Sequence, residues 1–193
     1  VNMVESNQQK ISKFLKSDQV TYKGLEKENL RSDLEGKISN KSFPANFGIH
    51  NFNRYVTLDY SEPHLEIVTP PFEKNLDAYN FLCDLHKYVE KSLDGDLLWN
   101  YSMPPKFKRK YIKLPPHRES NTTKLAHLYR LGLRNRYGDK MQSTAGIHYN
   151  FSFSNSVVEA LGNNKTEIYL GISRNFLRVF PLILRLMGCS PVT

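Results

Sequence analysis

The stretch Thr144 to Phe153, TAGIHYNFSF, constrains the chain more than any other. Ile147, Tyr149, Phe151 and Phe153 alternate with His148, Asn150 and Ser152, and a period of two is the signature of a half-buried strand. The pattern predicts an aromatic set facing a core. His148, Asn150 and Ser152 then share the opposite face, where the imidazole lies among hydrogen-bonding groups. A lone strand histidine is usually solvated, so His148 gains meaning only from acidic neighbours elsewhere in the chain.

Those acids lie upstream. Tyr22 to Arg31 reads as a strand leading into a turn at Ser32 to Gly36, which puts Glu26 and Glu28 on one side. Two carboxylates two apart repel. Either they line a solvated face with Lys27 opposite, or a hard divalent ion such as magnesium cancels the repulsion. Tyr55 to Tyr60 and Leu65 to Thr69 read as two further strands, the second closed by Pro70-Pro71, and each carries an acid. Asp59 suits the opening of a turn through Ser61-Glu62-Pro63. Glu66, between Leu65 and Ile67, stands inside its strand and is harder to explain as surface.

The remaining elements are read from periodicity and punctuation. Val4, Ile11, Phe14 and Leu15 predict a helix within residues 1 to 20, ended by Asp18 and Gln19, and Phe43 to Asn53 reads as a loop. Asn75 to Leu93 reads as an amphipathic helix on Leu76, Tyr79, Leu82, Cys83, Val89 and Leu93, followed by Gly95. Leu97 to Met103 reads as a buried strand stopped by Pro104-Pro105. Lys106 to Lys113 is a basic run interleaved with aromatics, either a solvated loop or a track for a phosphate backbone. A second helix is expected from Asn121 as N-cap to Gly138, with Leu125, Leu128, Tyr129, Leu131 and Leu133 as its apolar set. Arg130 lies within it, Arg134 and Arg136 near its end. Asn155 to Thr166 reads as a polar loop, and Glu167 to Met187 as a last helix kinked near Pro181.

Charge and cysteine usage narrow the setting. The balance of 27 Lys+Arg against 19 Asp+Glu gives +8 and favours anionic partners such as nucleotides. No secretory signal is expected at the start. The tract Phe176 to Met187, interrupted by Arg178, Pro181 and Arg185, is too short to span a bilayer. Cys83 and Cys189 have no metal spacing and are read as structural thiols of a reducing compartment, so a soluble cytoplasmic protein is expected, with no membrane partner.

Six segments add more than residue types. KGLEKENLR (23 to 31), LDYSEPHLEIVTP (58 to 70), DLHKYV (84 to 89), WNYSMP (99 to 104), SNTTKLAHLYRLGLRNRYGDKMQSTAGIHYNFSF (120 to 153) and RNFLRVFPLILRLMGCSP (174 to 191) resemble, in that order, the amino-terminal part of bacterial glutamate–cysteine ligase. The resemblance implies ATP-dependent joining of the L-glutamate side-chain carboxylate, through an acyl phosphate, to L-cysteine. The product is γ-glutamylcysteine, in the first step of glutathione synthesis.

The fold it implies is α+β and glutamine-synthetase-like, an antiparallel sheet curved into a funnel with helices outside, incomplete in this chain. Magnesium or manganese is the implied cofactor and ATP the co-substrate. By position, Glu26, Glu28, Asp59, Glu66 and His148 match metal ligands, Arg130 a catalytic residue, and Tyr129, Leu133 and Gln142 substrate contacts. Because that family's chains are over twice as long, residues 1–193 are expected to form one amino-terminal portion of the catalytic domain. A separate carboxy-terminal half is then a conceivable partner. Two alternatives are an inactive truncated ligase segment and, from another class, a basic nucleic-acid-binding module on Lys106 to Lys113 and the Arg130 to Arg136 helix, which leaves the acids unexplained.

Overall fold

The computed structural model describes residues 6–16, 20–106, 112–117, 120–162 and 164–188. Val4, Asp18, Gln19, Cys189 and most of the basic run (107–111) lie outside these. The chain divides into two compact units, Gly24–Asn150 and a second made of Val1–Lys23 with Phe151–Thr193.

The larger unit is built on a sheet of five strands: β1 (Thr21–Ser32), β2 (Val56–Leu58), β3 (His64–Val68), β4 (Leu97–Trp99) and β5 (Ile147–Phe153). Their order is β2-β3-β1-β4, with β5 joined to β1, and the pairs β1–β3, β1–β4 and β2–β3 are antiparallel. Helix α2 (Asn75–Ser92) covers one face. Leu65 and Ile67 of β3 and Val56 and Leu58 of β2 pack there against Leu82 and Val89, with Phe47 and Leu93. A smaller cluster of Leu30, Tyr60, Ile112 and Leu114 lies with Leu131 and Leu133 of α3 (Asn121–Tyr137).

Several expected faces are turned. In α2 the buried residues are Ala78, Leu82 and Val89, while Leu76 and Tyr79 are exposed. In α3, Leu125, Leu128 and Tyr129 are exposed because two arginines one turn apart point inward. Arg130 reaches the carbonyls of Leu58 and Asp59, and Arg134 donates to Asp139 Oδ1 at 2.7 Å and to the Ile112 carbonyl. The cap of α3 is Ser120 rather than Asn121, its Oγ accepting the Thr123 N–H at 3.3 Å. The strand expected over Leu97 to Met103 is three residues long and half-exposed.

The main correction concerns β5. Its aromatic set does not enter a core: Ile147 is 64% exposed, and Tyr149 and Phe151 are exposed too. The strand lies off the main strand order, paired to β1, and Tyr149 Oη donates to Asn75 Oδ1 at the start of α2 at 3.1 Å.

The smaller unit holds α1 (Asn7–Lys16), α4 (Asn155–Leu161) and α5 (Lys165–Met187). The residues read as a loop form α4, capped by Ser154 and burying Val157, Val158 and Ala160. Phe153 stacks on Tyr169 of α5 at 5.9 Å. Helix α5 contains Pro181 and buries none of its residues; Phe176, Leu177, Phe180, Leu184 and Leu186 are all exposed. Among the described residues no helix is long and apolar enough to cross a membrane.

One buried ion pair ties the larger unit together. Arg31 of β1 donates through Nη1 to Asp96 Oδ2 at 2.9 Å, and the two side chains are 1% and 3% exposed. Its Nη2 donates to the carbonyls of Lys41, Ser42 and Glu62. Removing one member strands the other charge, so Asp96→Ala is expected to cost about 3–5 kcal/mol in urea unfolding. Glu35→Ala, which breaks the exposed Lys37–Glu35 pair, should cost no more than about 1 kcal/mol.

Candidate metal centre

Strands β1 and β3 pair in a register that sets Glu28 directly opposite Glu66. Like charges facing across an antiparallel pair destabilise it. The alternation that sends Leu65 and Ile67 toward α2 leaves Glu66 on the other face, beside Glu26 and Glu28. Strand β5 flanks β1 there. The Glu28 N–H donates to the Gly146 carbonyl at 3.0 Å, and the Gly146 N–H donates to Glu28 Oε2 at 2.8 Å.

The polar face of β5 meets these acids. His148 Nδ1 lies 3.0 Å from Glu26 Oε2 and Nε2 3.8 Å from Glu28 Oε1. Asn150 donates to Glu26 Oε1 at 2.9 Å. One ligand atom each from Glu26, Glu66 and His148 lie within 4.8 Å of one another. A cavity of about 430 Å³ opens alongside, lined by Glu28, Asp59, Gln142, Gly146 and His148 among others.

The electrostatics reflect the crowding. Burial, with Asp59, Glu26 and Glu28 adding to it, pushes the Glu66 carboxyl up to about 7. Burial also raises Glu28, against the Gly146 N–H, which favours its charged form. The hydrogen bond to Glu26 raises His148, with the nearby charges of Glu28, Glu26 and Glu66 adding to it. The groups within ion-pair distance of these carboxylates, among the described residues, are the imidazoles of His148 and His64.

This donor set fits a hard divalent cation. Carboxylate oxygens suit magnesium, and an added imidazole nitrogen also suits manganese. A bound dication would offset the repulsion across the Glu28–Glu66 pair.

The other expected site residues are placed differently. Asp59 follows β2 in the turn and faces His64, with its backbone held by Arg130 Nε at 2.9 Å. Arg130 thus grips the main chain under Asp59 through two of its donors. Gln142 borders the cavity, Tyr129 lies exposed on α3, and Leu133 packs beside the Leu30 cluster. Neither Tyr129 nor Leu133 lines the cavity. Sequence reasoning missed His64, although its position two before Glu66 puts it on the same face. It also missed Gly146, a small residue for which only its adjacency to the strand gave any signal.

A pH dependence follows. Between the ordinary carboxylate value of 4.5 and about 7, folded Glu66 holds a proton that the unfolded chain has lost. Its contribution to stability is therefore complete below 4.5 and lost as pH rises toward about 7. Thermal melts in EDTA should show the melting temperature falling across this window. Glu66→Gln should flatten that dependence, and magnesium should restore the loss at the upper end.

The profile of the glutamate-cysteine ligase family matches residues 4–193. A glutamate–cysteine ligase of Wigglesworthia glossinidia brevipalpis is 39% identical over 189 residues, covering 93% of this chain and 37% of that one. One of Clostridium acetobutylicum is 36% identical over 180 residues, with coverages of 88% and 37%. Among solved structures, glutamate–cysteine ligase from Francisella tularensis in complex with AMP superposes with a TM-score of 0.78 at 30% identity, covering 83% of this chain and 33% of that one. The chain thus spans 37% of the length of these first curated relatives.

Proposed function

The chain belongs to the glutamate–cysteine ligase family, and on that premise we propose that residues 1–193 form an amino-terminal portion of a ligase catalytic domain. The reaction is the transfer of the ATP γ-phosphoryl group to the side-chain carboxylate of L-glutamate, releasing ADP. The amino group of L-cysteine then attacks the acyl carbon and expels phosphate, leaving γ-glutamylcysteine as the first intermediate of glutathione synthesis. The observation that carries this reading is the Glu28–Glu66 cross-strand pair, with Glu26 and His148 converging on it.

Glu26, Glu66 and His148 hold a magnesium or manganese ion, and Glu28 and Asp59 extend the acidic wall along the cavity. A cation held there supplies neutralisation of the negative charge spread over phosphate oxygens during transfer. Asn150 and the Gly146 N–H orient Glu26 and Glu28. Gln142 borders the space for substrate, and Tyr129 and Leu133 of α3 are assigned to substrate contacts by their match to the family. Arg130 serves chemistry by fixing Asp59 through its backbone, which makes it a positioning residue. The sheet is read as part of a glutamine-synthetase-like funnel with helices outside, in a cytoplasmic protein.

A second reading has its own observation. The exposed apolar residues of β5 and of α5 resemble core surface left uncovered, as in a segment that folds but catalyses only with a carboxy-terminal half of the family supplied separately. Most of the basic run that would carry nucleic-acid binding lies outside the described residues, and the acidic face is left unexplained by that reading.

Calorimetric titration of ATP into the chain, with and without magnesium, tests the metal-dependent nucleotide site. Binding should require magnesium and weaken by about tenfold or more in Glu66→Gln, which keeps the shape and removes the charge. Equal binding by both proteins would sink the assignment of Glu66.

A further inference from the structure

His64 is fully buried at the start of β3, opposite Leu30 of β1 and between Pro63 and Leu65. Its ring is wedged between two acids of the candidate metal centre: Nδ1 stands 3.5 Å from Asp59 Oδ2, and Nε2 3.9 Å from Glu28 Oε2. The Gln142 main chain comes within backbone hydrogen-bonding reach of the ring and favours its charged form, as Asp59 does. Neither ring nitrogen has a partner in full hydrogen-bond geometry among the described residues.

Packing alone does not account for an imidazole here. Buried polar nitrogens without good partners destabilise a fold, and an apolar side chain of similar size would fill the same space without that cost. What the ring offers and a leucine lacks is a donor directed between two carboxylates. A neutral imidazole has one N–H to give, and the shorter gap leads to Asp59. A shift of about half an ångström brings Asp59 Oδ2 into hydrogen-bond range.

We propose that His64 is a positioning residue of the cation site, holding the Asp59 carboxylate beside Glu28 so that both face the cavity. The inference rests on the metal-centre reading above and adds to it a buried support beneath the acids. In metal sites such supports act on affinity more than on the fold, because they orient ligands that would otherwise rotate away.

The test is Mn²⁺ binding by the full 193-residue chain, read from the EPR signal of free Mn²⁺, together with thermal melts. His64→Leu should weaken Mn²⁺ binding by about tenfold or more while melting no lower than wild type. That split between affinity and stability is not what a merely structural residue would give. His64→Asn, whose amide nitrogen takes the place of Nδ1, should recover most of the affinity. His64→Gln, whose amide nitrogen takes the place of Nε2, should not. Wild-type affinity in His64→Leu, with affinity lost in a parallel Glu66→Gln protein, overturns the role of His64 and leaves the metal centre standing. If His64→Leu does not fold, equal affinities of the Asn and Gln proteins overturn it instead. Absence of Mn²⁺ binding by the wild-type chain overturns both readings.

Discussion

The larger unit depends on the guanidinium of Arg31. A charge this deeply buried needs partners for its donors, and here Asp96 supplies the countercharge at Nη1 while three carbonyls surround Nη2, leaving only Nε without a partner among the described residues. The groups it gathers are far apart in sequence: the residues just before β4, the loop at Lys41 and Ser42, and the turn at Glu62. Asp96 also accepts from Ser39 Oγ at 2.6 Å, so the loop is held from two directions. Arg31 is three residues beyond Glu28 and five beyond Glu26 on the same strand. Fixing one end of β1 therefore fixes the register at which its acids meet β3.

That register places carboxylates where a sheet ordinarily avoids them. Backbone ladders and the apolar packing under α2 hold the strands together despite the repulsion on the opposite face. The two faces of the sheet thus have opposed energetics. One supplies stability through Leu65, Ile67, Val56 and Leu58, and the other uses part of it to keep acids close. Functional sites commonly show this trade, since groups arranged for a ligand repel one another without it.

Much of the acidic face was legible in the sequence because it obeys the period of two. Glu26 and Glu28, Glu66 between two apolar residues, and the polar set of TAGIHYNFSF could each be assigned to a face without any tertiary knowledge. What alternation cannot tell is whether a face is covered, and the aromatic side of β5 is exposed where a core was expected. Helix faces were misread for a different reason. Apolar spacing favoured Leu125 and Leu128, yet Arg130 and Arg134 turned α3 inward, because a carbonyl or carboxylate partner in space can outweigh an apolar stripe in sequence. Helix α4 was hidden by its polar flanks, although Ser154 followed by Val157 and Val158 carries a cap and an apolar pair. Arg31 and Asp96 could not be paired at all, being 65 positions apart with no pattern to join them.

The hold of Arg130 on Leu58 and Asp59 is made to main-chain oxygens, which every amino acid possesses. Such a grip does not read the side chain. Position 59 can therefore exchange one side chain for another over evolutionary time while the helix keeps its purchase on the turn beneath it. The scaffold and the side chain are separable at this point, and a descendant of this chain could alter what borders the cavity without first rebuilding the contact that presents the residue.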